Sequence, residues 1–166
     1  MRIQLVKINQ LSGKQASIYS VIYNDDQITL FDIFLNENLI SFKSELSTIL
    51  LRLKVIGKKT GARETFFKIE EGDLGDGVCA LYDDPKKNLR LYCIRYGASL
   101  IIIGSGGPKA KTIRALQQDS KLKKENLIMR EISKLIKEKM EDKTISFTDD
   151  YYDFKGTFDL NNTDYE

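Results

Sequence analysis

The residues of this chain best suited to chemistry gather in one short run, Asn88-Leu89-Arg90-Leu91-Tyr92-Cys93-Ile94-Arg95-Tyr96-Gly97. As a strand, its alternation puts Arg90, Tyr92 and Tyr96 on one face and Leu91, Cys93 and Arg95 on the other. An arginine held on a rigid strand beside a tyrosine suits a phosphodiester, because the guanidinium offers forked donors and the phenol a hydroxyl or a stacking ring. The bland alternative pairs Arg90 and Arg95 with acids such as Asp83 and Asp84 at a sheet edge. A second run, Gly104 to Lys111, has the order strand, glycine-rich turn, helix start that can cradle phosphate. It lacks the G-x-x-x-x-G-K-[ST] spacing, and Pro108 removes a donor, so it reads better as a flexible turn through which a basic helix leaves the sheet.

Other chemistry is limited by composition. The chain has no histidine, which removes histidine triads, histidine-ligated zinc and the usual acid–base pair of ribonucleases. Its two cysteines, Cys79 and Cys93, stand fourteen residues apart inside apolar runs, where a small thiol fills core space, and no cofactor or metal is expected. One disulfide in 166 residues does not make a secreted framework, so a reducing compartment fits. No apolar run nears the roughly 18 residues of a membrane span, and the N-terminus carries no apolar stretch with a cleavage site. These features give the expectation of a cytoplasmic protein with no membrane anchor.

The net charge of +2 conceals an uneven distribution. Residues 1–85 carry −2, residues 86–143 carry +9 and residues 144–166 carry −5. A basic middle and an acidic end suggest a phosphate-binding surface and a segment able to shield it, although lysines that merely solvate helices would give the same count.

The elements that must position these residues follow from periodicity. The length and the 42% hydrophobic content suit one globular domain over residues 1–148, with an acidic, aromatic tail over 149–166 that could cover the basic surface or close the sheet as an edge strand. Ala16 to Leu35 reads as a hairpin about Asn24-Asp25-Asp26. From Asn36 the spacing of Leu39, Phe42, Leu46, Leu50 and Leu53 predicts an amphipathic helix ending at a Gly57 cap. Glu64–Glu70, Gly77–Tyr82, Asn88–Tyr96 and Ser99–Gly104 read as strands joined by short turns, which favours an antiparallel meander. Two helices follow, one opened by Pro108 and one capped by Asp119 or Ser120. The fold class is therefore α+β.

The run Gly77-Val-Cys-Ala-Leu-Tyr82, a turn, Leu89-Arg-Leu-Tyr-Cys-Ile-Arg-Tyr96, a turn, Leu100-Ile-Ile-Ile103 and Gly106-Gly-Pro-Lys109 resembles the bacterial RelE/HigB/ParE toxin superfamily, including phage-derived HigB-like members. The likeness spans about Asn36 to Met140 and rests on order and spacing. It implies an opening strand, one or two helices and a closing meander. It further implies a toxin of a type II toxin–antitoxin pair, a metal-independent endoribonuclease acting on mRNA at the ribosome and held by a small helix-turn-helix antitoxin. A non-catalytic or gyrase-binding ParE-like regulator is the alternative. The family's RNA-gripping arginine and the basic residue after the last strand fall on Arg90 and Lys109, with Lys111 the looser match; Arg95 and Arg114, in the same basic region, are further nucleic-acid-binding candidates. Tyr92, Tyr96 and Lys111 are the candidates for the base that activates the 2′-hydroxyl. The lysines that the RelE branch carries on the preceding strand are matched here by Cys79 and Leu81, and the histidine of part of the HigB branch is absent. The resemblance carries no oligomeric state.

Overall fold

The computed structural model describes residues 1–69, 71–81, 87–109 and 115–162. The chain opens with β1 (Arg2–Lys7) and β2 (Ser17–Tyr23), passes through α1 (Leu30–Asn38) and α2 (Lys43–Val55), and then forms β3 (Phe67–Lys68), β4 (Val78–Leu81), β5 (Leu89–Tyr96) and β6 (Leu100–Pro108). The long helix α3 (Ala115–Glu141) and the short strands β7 (Ile145–Phe147), β8 (Phe154–Gly156) and β9 (Asp159–Asn161) follow. Seven strands join in one sheet in the order β3-β4-β5-β6-β2-β1-β9, and β7 pairs with β8 apart from it. The class is α+β and the sheet is mostly antiparallel, as expected. The exception is β2, which runs parallel to β6, because α1 and α2 lie within the long crossover that parallel strands require.

Both faces of the sheet are covered. On one, Tyr92, Ile94, Leu100 and Ile102 pack against Met129, Ile132 and Ile136 of α3. On the other, Leu91, Cys93, Ile101 and Ile103 pack with Leu46 and Leu53 of α2. The unbroken run Leu100–Ile103, fully buried, is the pattern of a strand covered on both sides. The helix α1 contributes to both clusters, Leu30 to the first and Phe31 and Phe34 to the second.

Several expectations are corrected. The second strand of the expected hairpin is α1: Thr29 caps it by accepting from the Asp32 amide at 3.1 Å while Asp32 accepts from the Thr29 amide at 3.3 Å. This reciprocal cap, with apolar residues at 30, 31, 33 and 34, fits a helix as well as a strand, and the cap decides. The helix expected from Asn36 is two helices, and a π turn at Ile56–Thr60 follows α2. Gly57 lies inside that turn, where a Cβ would sit 2.0 Å from the Leu11 carbonyl oxygen; Gly61, at φ +77°, ends it. The strand expected over Glu64–Glu70 is a 3₁₀ turn, Glu64–Phe66, leading into the two-residue β3. Gly104 to Pro108 do not break the sheet but extend β6, with Pro108 opposite Leu89. The two expected C-terminal helices are one, α3.

The acidic segment after Asp149 builds structure. β9 pairs with β1 at the sheet edge, as the edge-strand reading anticipated, and Phe154 and Leu160 are buried in the α3-side core. Asp153 accepts from the Tyr19 hydroxyl at 2.7 Å and pairs with Lys7 at 2.9 Å, and the Tyr152 hydroxyl donates to the Gly13 carbonyl. The segment is thus fastened to β1 and β2 and packs on the α3-side core, while residues 163–166 lie outside the described residues. Among the described residues, no helix is long and apolar enough to cross a membrane.

Candidate nucleic-acid interface

The pairing of β5 with β6 sets the geometry. Arg90 stands opposite Gly107, and the Lys109 amide donates to the Asn88 carbonyl at 2.6 Å, so Arg90 and Lys109 leave adjacent strands at the same end of the sheet. The start of β5 is anchored from α2, where Glu45 Oε1 accepts from the Asn88 amide at 2.7 Å. The register shifts between Leu91 and Cys93, and a Cβ on Gly106 would stand 1.8 Å from the Arg90 carbonyl oxygen. The glycine-rich run that resembled a phosphate loop is therefore the surface against which the Arg90 backbone packs. Gly104 serves α3 similarly, since its Cβ would meet the Met129 sulfur at 2.3 Å.

The expected division of faces on β5 is observed, but burial divides the candidates further. Tyr92 is 4% exposed in the α3-side core. Its hydroxyl pKa is raised, chiefly by burial, with the Arg90 guanidinium and Asn126 pulling it back. Tyr96 lies six residues along the strand from Arg90, roughly 20 Å at ~3.3 Å per residue. Its ring packs edge-on against Phe147 and Phe154 at 5.5 and 5.6 Å, and its hydroxyl is buried with no hydrogen-bond partner among the described residues. Burial, then the nearby Asp76, push its pKa up. Both phenols hold their protons at neutral pH, so each can donate and neither is primed as a base. Arg95 faces the other way, donating from Nε to the Ala62 carbonyl at 2.7 Å and approaching Glu64 at 3.8 Å, while Asp83 and Asp84, the acids expected to pair with it, lie outside the described residues. Arg90, Tyr92 and Lys109 are thus grouped, while Arg95 and Tyr96 are set apart. Lys111 and Arg114 lie outside the described residues.

One neighbour was not singled out by the sequence. The aliphatic carbons of Lys121 on α3 come 3.2 Å from the place a Cβ on Gly107 would occupy, and its ammonium bridges Glu37 of α1 at 3.2 Å and the largely buried Glu125 at 3.4 Å. The Lys121–Glu125 spacing of four on a helix was a legible signal. The link to Glu37, distant in sequence, was not. Around the Arg90 end of β5 the fold therefore brings Arg90 and Lys109 to one end of the sheet, with Lys121 of α3 nearby and neutralised by two carboxylates. Compared with protein-family models, curated proteins and solved structures, the chain matches none.

Proposed function

We propose that the protein is a RelE/HigB-type toxin of a type II toxin–antitoxin pair that engages ribosome-bound mRNA through Arg90 and Lys109. The observation that carries this reading is the chain order of two paired strands, two helices and an antiparallel meander, with Arg90 on β5 and Lys109 just past the end of β6 at one end of the sheet. In cleavage by such a protein the RNA 2′-hydroxyl gives up its proton and attacks the neighbouring phosphorus, and the guanidinium neutralises charge on the pentacoordinate transition state. The bond to the 5′-oxygen of the next nucleotide breaks, that oxygen takes up a proton, and a 2′,3′-cyclic phosphate remains. The start of the strand that carries Arg90 is anchored at the Asn88 amide by Glu45, which supports such a role.

A second reading, binding without cleavage as in a gyrase-directed or regulatory relative, is favoured by the protonated and buried state of Tyr92 and Tyr96. Induced expression separates the two. Growth arrest with mRNA cut within codons, both lost in Arg90→Ala with an unchanged circular dichroism spectrum, supports the nuclease. Arrest with intact mRNA supports the second reading, and unaffected growth rejects both.

A further inference from the structure

Far from Arg90, at the other end of β5, the loop from Gly72 to Gly77 stands against α3 and forms with it a cavity of ≈ 320 Å³. The loop is built in. Asp76 accepts from the amides of Asp73 and Val78 at 2.7 and 2.9 Å, and the Ser133 hydroxyl donates to the Asp76 carbonyl at 2.6 Å. Arg130 pairs with Asp73 at 2.5 Å. These contacts occupy the cation Arg130 and both loop carboxylates.

The remaining charges of the wall are Lys134 and Lys137, both exposed and neither in an ion pair among the described residues. Glu131 and Glu138 flank Lys134 on its helix without closing to salt-bridge distance. The rest of the lining is apolar, from Met140 and Phe147, with Leu74 fully exposed on the loop. Tyr96 completes the wall, and its buried hydroxyl lacks an acceptor.

We infer that this cavity binds a small organic anion with a flat apolar body, which lies against Phe147 and Met140 while its anionic group meets Lys134 and Lys137. The volume falls at the lower end of small-molecule sites, and an apolar lining with a few convergent polar groups is their usual make-up. The site is separate from the Arg90 surface and does not depend on the proposed function.

The probe is anilinonaphthalene sulfonate, with the uncharged N-phenylnaphthylamine as comparison. Fluorescence titration of the full chain should give saturable binding of the sulfonate, and Lys134→Ala/Lys137→Ala should weaken it about tenfold or more while leaving the neutral probe unchanged. Both lysines are exposed, so the variant keeps its fold, and amide chemical-shift dispersion verifies this. In the wild type the sulfonate should shift amides of 73–76, 96, 133–140 and 147. Absence of binding to the folded chain, equal affinity in the double variant, or shifts centred elsewhere would each overturn the inference.

Discussion

Replacing Phe154 by alanine tests whether the acidic C-terminal segment belongs to the core. Phe154 is 3% exposed, and its ring packs against Tyr19 at 5.1 Å, Phe147 at 5.5 Å and Tyr96 at 5.6 Å between centroids. Truncating a buried phenylalanine to alanine costs about 3–5 kcal/mol, and each aromatic pair adds about 0.5–1.5 kcal/mol beyond area, so the upper half of that range is expected. The neighbouring Asp153 contacts with Tyr19 and Lys7 hold the backbone in place and limit collapse of the cavity. Against a typical domain stability of about 5–15 kcal/mol, this leaves a marginal protein. Urea unfolding followed by far-ultraviolet circular dichroism is the assay. With a slope of about 2 kcal/mol per molar, the midpoint should fall by about 2 M. Lys155→Ala, exposed on the same strand, should change stability by less than about 0.5 kcal/mol. A loss below about 1 kcal/mol for Phe154→Ala would refute the reasoning and return the segment to the status of a detached tail.

The buried acids make stability fall at alkaline pH. Burial pushes the Cys79 thiol from 9.0 up to about 12, against the pull of Arg95, and it raises Cys93, Tyr92 and Tyr96 as well. The folded state therefore keeps protons that the unfolded chain releases, so stability is full below about pH 9 and declines as pH rises toward 12; a flat profile from pH 8 to 11.5 would contradict this. For the same reason Cys79 and Cys93, which face each other across β4 and β5, should react with a thiol reagent only at the rate of global unfolding, and rapid labelling of the native protein would disprove their inertness. Gly106→Ala should be strongly destabilising, because its Cβ would meet backbone rather than a movable side chain; a melting temperature within 2–3 °C of wild type, about 1 kcal/mol, would show that β5 can shift. Lys109→Ala should reduce the slope of log RNA affinity against log salt by about 0.7, and an unaltered slope would put the RNA elsewhere.

The sequence by itself determined the α+β class, the β4-β5-β6 meander and the two faces of β5, because strand alternation and short turns are local properties written in residue order. It also marked the edge-strand character of the last residues. Local pattern misled where two periods fit one run, as at Leu30–Phe34, and where glycine served packing rather than flexibility, as at Gly104 and Gly106. Only the tertiary structure decided that β2 lies parallel beside β6, that α3 seals the face carrying Tyr92 and Tyr96, and that Lys121 bridges Glu37 and Glu125. The physical reason is that burial, and with it the protonation of a phenol or the role of an arginine, depends on partners brought from distant positions in the chain. Arg90 and Arg95 are alike in sequence, five residues apart on one strand. One stands at the sheet end beside Lys109, and the other is turned to the opposite face, where the Ala62 carbonyl holds it.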